Sequence, residues 1–274
     1  MRILRIITAF VFVFSLLFAF WANNRYNSKR NADYPELTSD LELLEISVQD
    51  PPEAIFRELH AYDATDGDLT DQIMVATVSH FLEPGTVRVK YVVFDQHNNS
   101  ATLTRRVRYT DYEAPKFSLE KNPVYTVGDS FDLLDYIRVE DSIDGDISDH
   151  IRVISNMVNT YSVGKYPVVL EVSNSYGDTA QVTVWVAYEA KQNTAIVKLH
   201  QYIVYVEQGG TFEPEKWLAS VTDRDSDGLS SRTVDLLGSL DLNKPGCYQL
   251  VYSYNDGVRS GQAPLTVVVT ERQG

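Results

Sequence analysis

The stretch "KYPVVLEVSNSYGDTAQVTVWVAY", residues 165–188, is the clearest indication of the fold, because apolar and polar residues alternate through both of its halves. An alternation with a period of two is typical of β-strands that bury one face. The faces expected to be buried comprise Tyr166, Val168, Leu170 and Val172 in the first half and Ala180, Val182, Val184, Val186 and Tyr188 in the second. The short polar turn between the halves predicts an antiparallel β-hairpin.

Two other stretches repeat this layout at a period of about 80 residues, a spacing that indicates repeated domains. Each repeat has an Asp-Gly turn, then a second glycine turn, and then two alternating runs joined by polar residues. The Asp-Gly turns are at Gly67, Gly145 and Gly228, and the second turns are at Gly85, Gly164 and Gly246. Several short strands in each repeat predict an all-β chain built from β-sandwiches.

The motif that these repeats share resembles the bacterial immunoglobulin-like domain of Gram-positive surface proteins, a family named for an Ig-like module of a pesticidal crystal protein. The middle repeat carries the motif most fully, with Gly128, Asp144, Gly145, Asp146 and Asn174 at the expected places. The resemblance covers about residues 40–270 and implies three tandem Ig-like antiparallel β-sandwiches. Because Ig-like sandwiches host many functions, it implies a fold rather than a ligand.

The amino-terminal segment is apolar and is flanked by basic residues. Ile6 to Ala22 contains no charge, and bulky residues stand where a signal peptidase needs small ones. We therefore predict an uncleaved signal anchor, a transmembrane helix that precedes the sandwiches. The predicted segments are a signal anchor over 1–22, a polar tether over 23–40, and Ig-like domains over 41–110, 115–189 and 195–270.

Charge and cysteine content narrow the range of partners. The net charge is −14, although five basic residues and no acids lie in the first 30 residues, so the remainder is more acidic still. Such a body repels phosphate backbones, which excludes nucleic acid as an expected partner. We predict a single-pass protein of the cell membrane with an extracellular body. The one cysteine, Cys247, cannot form an intrachain disulfide and is expected to be a buried core residue.

Two aspartate-rich turns are candidate calcium sites. Ca²⁺ takes six to eight oxygen ligands, and a loop that gathers carboxylates around a glycine supplies several. The alternative is a tight turn, in which glycine adopts a positive φ and aspartate caps neighbouring N–H groups. A turn explains one or two of the four acids. The candidate ligands are Asp63, Asp66, Asp68 and Asp71 in the first repeat and Asp141, Asp144, Asp146 and Asp149 in the second.

The third repeat has a different acidic loop, "DRDSDG", residues 223–228. Asp223, Asp225 and Asp227 match the first ligand positions of an EF-hand loop, but the closing acid is out of place and no helices flank the loop. They are candidate calcium ligands on a β scaffold. Asp95 and Asn174 lie in a later hairpin turn and join these sites only if that turn lies at the same end of the sandwich.

No residue pattern in the chain predicts catalysis. Exposed turn carboxylates lack the cleft that a pair of acids needs for glycoside hydrolysis, and the five histidines show no metal-ligand spacing. We expect a non-enzymatic surface rod, a binding or spacer module stiffened by calcium, whose partners are proteins or carbohydrates at the cell surface. An accessory protein of an envelope or exopolysaccharide assembly machine is the main alternative, favoured by the ending "VVVTERQG", which lacks a wall-sorting signal. A carbohydrate-active enzyme is the third.

Overall fold

A computed structural model describes residues 13–23, 34–190, 195–223, 225, 227–231 and 234–272. The chain divides into two compact units, Met1–Tyr112 and Glu113–Gly274. The first unit contains one pair of β-sheets, which we call sandwich 1. The second unit contains two further pairs, which we call sandwich 2 (residues 116–189) and sandwich 3 (residues 195–270).

Sandwich 1 has seven strands in two sheets. The strands are β1 Glu36–Ser39, β2 Leu43–Ile46, β3 Leu59–Asp63, β4 Gly67–Asp68, β5 Met74–Val78, β6 Thr86–Phe94 and β7 Ser100–Tyr109. One sheet has the order β1-β3-β4 and the other β2-β7-β6-β5. Short 3-10 helices span Pro52–Phe56 and Thr70–Gln72.

Sandwich 2 repeats this arrangement. Its strands are β8 Lys116–Leu119, β9 Val124–Thr126, β10 Ile137–Asp141, β11 Gly145–Asp146, β12 Arg152–Asn156, β13 Gly164–Ser173 and β14 Thr179–Glu189. The sheet orders are β11-β10-β8 and β12-β13-β14-β9, which place each strand where its counterpart lies in sandwich 1. Its 3-10 helices span Leu133–Tyr136 and Ser148–His150.

In the part of sandwich 3 that the structure describes there are six strands and a 3-10 helix at Pro214–Lys216. Its strands are β15 Ala195–Leu199, β16 Ile203–Glu207, β17 Leu218–Asp223, β18 Val234–Gly238, β19 Gly246–Asn255 and β20 Ser260–Thr270. The sheets have the orders β15-β17 and β16-β20-β19-β18. In place of a fourth short strand, an isolated bridge joins Thr222 and Gly228.

The predicted hairpin is present, and the prediction of a mainly β structure with several sheets is confirmed. Strands β13 and β14 pair antiparallel from Gly164 opposite Tyr188 to Ser173 opposite Thr179. The purely antiparallel prediction is wrong at one place in each sandwich, because β2, β9 and β16 run parallel to β7, β14 and β20. The second strand of each sandwich crosses to the opposite sheet, where it lies beside the last strand.

The membrane-spanning prediction is wrong. Among the described residues, no helix is both long enough and apolar enough to cross a bilayer. The predictions of a signal anchor and of a single-pass protein of the cell membrane are therefore withdrawn. The other part of the predicted segment, residues 1–12, lies outside the described residues.

Two further expectations differ from the structure. Strand β1 lies within the segment 23–40 that was expected to be a tether, because residues 36–39 pair with β3. Residues 24–33 of that segment lie outside the described residues. Cys247 is exposed rather than buried, because it stands near the start of β19 opposite Val268, before the buried part of the strand begins.

Sandwiches 2 and 3 have one continuous hydrophobic core. On strand β20, Ala263, Leu265 and Val267 are fully buried, as the alternation predicts, but the intervening Pro264 and Thr266 are buried too. Strands β9 and β14 of sandwich 2 contact β20 and cover this second face. The two sandwiches therefore pack along their strands and not end to end through a short joint.

Candidate functional site

The first aspartate of each acidic turn has the same structural role in all three sandwiches. Asp63, Asp141 and Asp223 are the last residues of β3, β10 and β17. The Oδ1 atom of Asp63 accepts the backbone N–H groups of Thr65 (2.8 Å) and Asp66 (2.9 Å). The Oδ1 atom of Asp141 accepts those of Ile143 and Asp144, each at 2.9 Å.

In sandwich 3, the Oδ1 atom of Asp223 accepts the N–H groups of Asp225 (3.0 Å) and Asp227 (2.9 Å). Asp225 and Asp227 thus contribute their backbones to this turn, and both are exposed. The structure does not bring the side chains of Asp223, Asp225 and Asp227 into a group of metal-ligating atoms among the described residues. One oxygen of each strand-ending aspartate is therefore used to build its turn.

The second aspartate links its turn to the late hairpin. Asp66 Oδ2 accepts the backbone N–H of Gln96 at 2.9 Å, and Asp144 accepts the N–H (2.6 Å) and the hydroxyl (2.8 Å) of Ser175. The two turns lie at the same end of each sandwich. This places Asp95 and Asn174 beside the acidic turns, a point that the sequence left open.

The third and fourth aspartates are exposed. Asp68 Oδ1 accepts the N–H of Thr70, and Asp146 Oδ1 accepts the N–H of Ser148, both at 2.9 Å. Hydrogen bonds from Thr70 lower the pKa of Asp68, and those from Ser148 lower the pKa of Asp146. Asp71 and Asp149 lie on the 3-10 helices that follow. Turn geometry thus uses three of the four acids, more than the sequence suggested.

The strand-ending aspartate meets a different partner in each sandwich. In sandwich 2, the amide of Asn174 donates to Asp141 Oδ2 at 3.1 Å. In sandwich 3, Arg259 lies 3.8 Å from Asp223 and 3.7 Å from Asp256, which is the counterpart of Asn174. In sandwich 1 the counterpart is Asp95, and Asp63 Oδ2 is buried without a hydrogen-bond partner.

One candidate metal ligand at this end of sandwich 1, His97, was not predicted from the sequence. Asp66, Asp95 and His97 each offer one ligand atom, and these atoms lie within 4.8 Å of one another. Asp40, Glu58 and His60 form a second such group, in which all three residues are exposed. A histidine two residues after Asp95 was the available signal, but about 30 residues separate it from Asp66 in the chain.

A groove of about 530 Å³ lies between sandwiches 2 and 3. Tyr136, which is 43% exposed, lines it together with Lys121, Asn122 and Lys198. The Lys121 ammonium lies 4.5 Å from the centre of the Tyr136 ring and forms an ion pair with Asp132. The groove therefore presents an aromatic ring and two lysine side chains, one of which is ion-paired, and a glutamate also lines it.

Residues 117–186 match a family model described as "Bacterial surface protein, Ig-like domain". The pesticidal crystal protein Cry22Aa of Bacillus thuringiensis is 30% identical over 213 residues, which is 72% of this chain and 27% of that protein. An 81.3 kDa protein of Acholeplasma phage L2 is 31% identical over 149 residues, covering 52% of this chain and 20% of the phage protein. The chain thus spans about a quarter or less of these relatives.

The solved structures that this chain matches include the M60 catalytic domain with CBM51 domains of Clostridium perfringens ZmpB. It is 13% identical, with a TM-score of 0.25, covering 87% of this chain and 31% of that one. Drosophila N-cadherin EC1-3 is 11% identical, with a TM-score of 0.30, covering 85% of this chain and 98% of that one. Scores this low support no conclusion about function.

Proposed function

We propose that the chain is a surface binding or spacer module, because residues 117–186 match the model of a bacterial surface Ig-like domain. In this proposal sandwiches 2 and 3 form one rigid body, which holds the binding surfaces of the two sandwiches at a fixed distance from each other. The module has no catalytic role. Most aspartates of the acidic turns accept hydrogen bonds that build the turn itself. Stiffening of the whole chain by calcium is therefore not part of the proposal.

The observation that carries the proposal is the burial of β20 on both faces. A flexible joint would leave the outer face of the last strand in water, yet Thr266 is only 4% exposed. Its hydroxyl donates to the carbonyl of Thr183 in sandwich 2 at 3.4 Å. Because packed interiors deform little, apolar contact along two strands favours one relative orientation of the sandwiches.

Polar contacts at the edges of this interface support the same conclusion. The backbone N–H of Tyr202 donates to the carbonyl of Leu119 at 3.1 Å, and the N–H of Phe117 donates to the Tyr205 hydroxyl at 2.8 Å. Asn122 donates to the carbonyl of Gln262 at 3.0 Å. Buried polar groups need specific partners, so these bonds disfavour sliding or rotation of one sandwich against the other.

The experiment that tests rigidity is a distance distribution between two spin labels in the full chain. Cys247 is first replaced by serine, and cysteines are then placed at the exposed positions of Tyr161 in sandwich 2 and Val258 in sandwich 3. A control pair at Asp149 and Tyr161, both in sandwich 2, gives the width of the distance distribution within a single rigid body. We expect the two distributions to be equally narrow. A much broader one between the sandwiches would refute the rigid spacer.

A second candidate function is carbohydrate binding in the groove beside Tyr136. Sugar-binding surfaces combine apolar or aromatic contact with a few polar groups, and this groove offers both. A glycan array with the full chain and with Tyr136→Ala tests it. Binding of a glycan that is lost in the variant would support this role. No glycan bound by the parent chain would leave the spacer role alone.

A further inference from the structure

Sandwich 1 has an electrostatic problem at its acidic end that the other two sandwiches do not have. Asp63 is 2% exposed and Asp95 is 8% exposed. Their counterparts are Asp141 and Asn174 in sandwich 2 and Asp223 and Asp256 in sandwich 3. Two buried carboxylates at one place repel each other unless a proton or a cation separates them.

The other sandwiches solve this problem in two ways. Sandwich 2 replaces the second acid by Asn174, whose amide donates to Asp141 at 3.1 Å. Sandwich 3 keeps both acids and places Arg259 within 3.8 Å of one and 3.7 Å of the other. In residues 34–112, all of which the structure describes, no lysine or arginine pairs with Asp63 or Asp95.

The oxygen without a partner indicates where a ligand belongs. Asp63 Oδ1 holds the turn, but Asp63 Oδ2 is buried and has no hydrogen-bond partner. By the equivalence of the sandwiches, this oxygen takes the place at which Asp141 accepts the amide of Asn174. Its environment lacks a donor that both other sandwiches supply.

The hydrogen-bond donors at this end of sandwich 1 bond to Asp95. Asp95 accepts N–H groups from His97 (2.8 Å) and Asn99 (2.7 Å) and the Asn99 side-chain amide (2.7 Å). Both oxygens of Asp95 therefore already accept donors, and none of these donors bonds to Asp63 Oδ2. A positive charge is the group that this end of sandwich 1 lacks.

We propose that sandwich 1 holds one divalent transition-metal ion of the zinc class on Asp66, Asp95 and His97, beside the buried Oδ2 of Asp63 that has no partner. The ligand atoms of Asp66, Asp95 and His97 already lie within 4.8 Å of one another. Calcium takes oxygen ligands only, whereas zinc combines imidazole with carboxylate. The cation does in sandwich 1 what Arg259 does in sandwich 3.

The test uses the full chain, freed of metal with a chelator, and isothermal titration with ZnCl₂ and, separately, CaCl₂. Asp95→Asn copies the Asp141–Asn174 pair of sandwich 2 and so keeps the fold. His60→Ala removes a histidine of the other, exposed group and serves as the matched control. We expect one zinc ion per chain, binding at least tenfold weaker in Asp95→Asn, and unchanged affinity in His60→Ala.

Melting curves supply a second readout. Zinc should raise the melting temperature of the parent chain and leave that of Asp95→Asn unchanged, because only the folded parent binds the ion. Without metal, Asp95→Asn should melt higher than the parent, since its amide gives Asp63 a donor. No saturable zinc binding, equal binding by Asp95→Asn, or tighter binding of calcium than of zinc would each overturn the proposal.

Discussion

Strands β7 and β20 occupy the same place in sandwiches 1 and 3, yet their outer faces differ. The outward residues of β7 include Arg106 and Arg108, both exposed, and Arg108 pairs with Glu45 on the surface. The residues at the same places on β20 are Thr266 and Val268, and Thr266 is buried against sandwich 2. The residues on the outer face of the last strand therefore distinguish a strand that packs against a neighbouring sandwich from one whose outer face is exposed.

Exchanging the outward residues of β20 and β7 should have the largest effect on the free energy of unfolding. Thr266→Arg places an unpaired charge in the interface between sandwiches 2 and 3, which we expect to cost about 3–5 kcal/mol of unfolding free energy. The matched change Arg106→Thr lies on an exposed face and should cost within about 0.5 kcal/mol. Urea unfolding of both variants measures the difference. Equal effects would show that the outer face of β20 is not an interface.

A smaller effect is expected at the edge of the interface. Tyr205→Phe removes the hydroxyl that accepts the N–H of Phe117, and leaving that donor without a partner should cost about 1–3 kcal/mol. Tyr62→Phe in sandwich 1, at a side chain that is 61% exposed, is the control and should be nearly neutral. Thermal melting of both variants checks the prediction, which fails if Tyr205→Phe melts like the parent.

Asn122 gives a third test at the same edge. Asn122→Ala removes the bond to the carbonyl of Gln262, and we expect a loss of about 1 kcal/mol. The loss is limited because Asn122 Oδ1 has no partner in the folded protein. Urea unfolding measures it, and a loss as large as that of Thr266→Arg would contradict this ranking.

Acid should affect both units alike, in contrast to the interface variants. Hydrogen bonds lower the pKa of Asp68 in the first unit and of Asp146 in the second. A folded-state pKa below the unfolded value stabilises the fold above about pH 4, and this stability is lost as the pH falls through the folded pKa. The fall in melting temperature between pH 6 and pH 2 should be slightly smaller in Asp68→Asn and in Asp146→Asn than in the parent chain. A loss confined to one variant would show that the two turns are not equivalent.

Sequence patterns were sufficient for the hairpins because alternation reports directly on one-sided burial, as in β13 and β14. They were insufficient for β20, where Pro264 and Thr266 alternate with apolar residues as they would on a wet face. Which neighbour covers a strand is a tertiary property. The candidate metal group depends in the same way on the end of the sandwich at which a turn lies, so Asp95 and His97 could not be grouped with Asp66 from sequence spacing alone.

Scanning calorimetry of the full chain tests whether sandwiches 2 and 3 unfold as one unit. If sandwiches 2 and 3 share one core, they unfold together, and the scan shows two transitions. The transition of the second unit should have about twice the enthalpy of that of the first unit, because the enthalpy scales with the number of folded residues. Thr266→Arg should split the larger transition. Three separate transitions in the parent chain, one for each sandwich, would contradict the account.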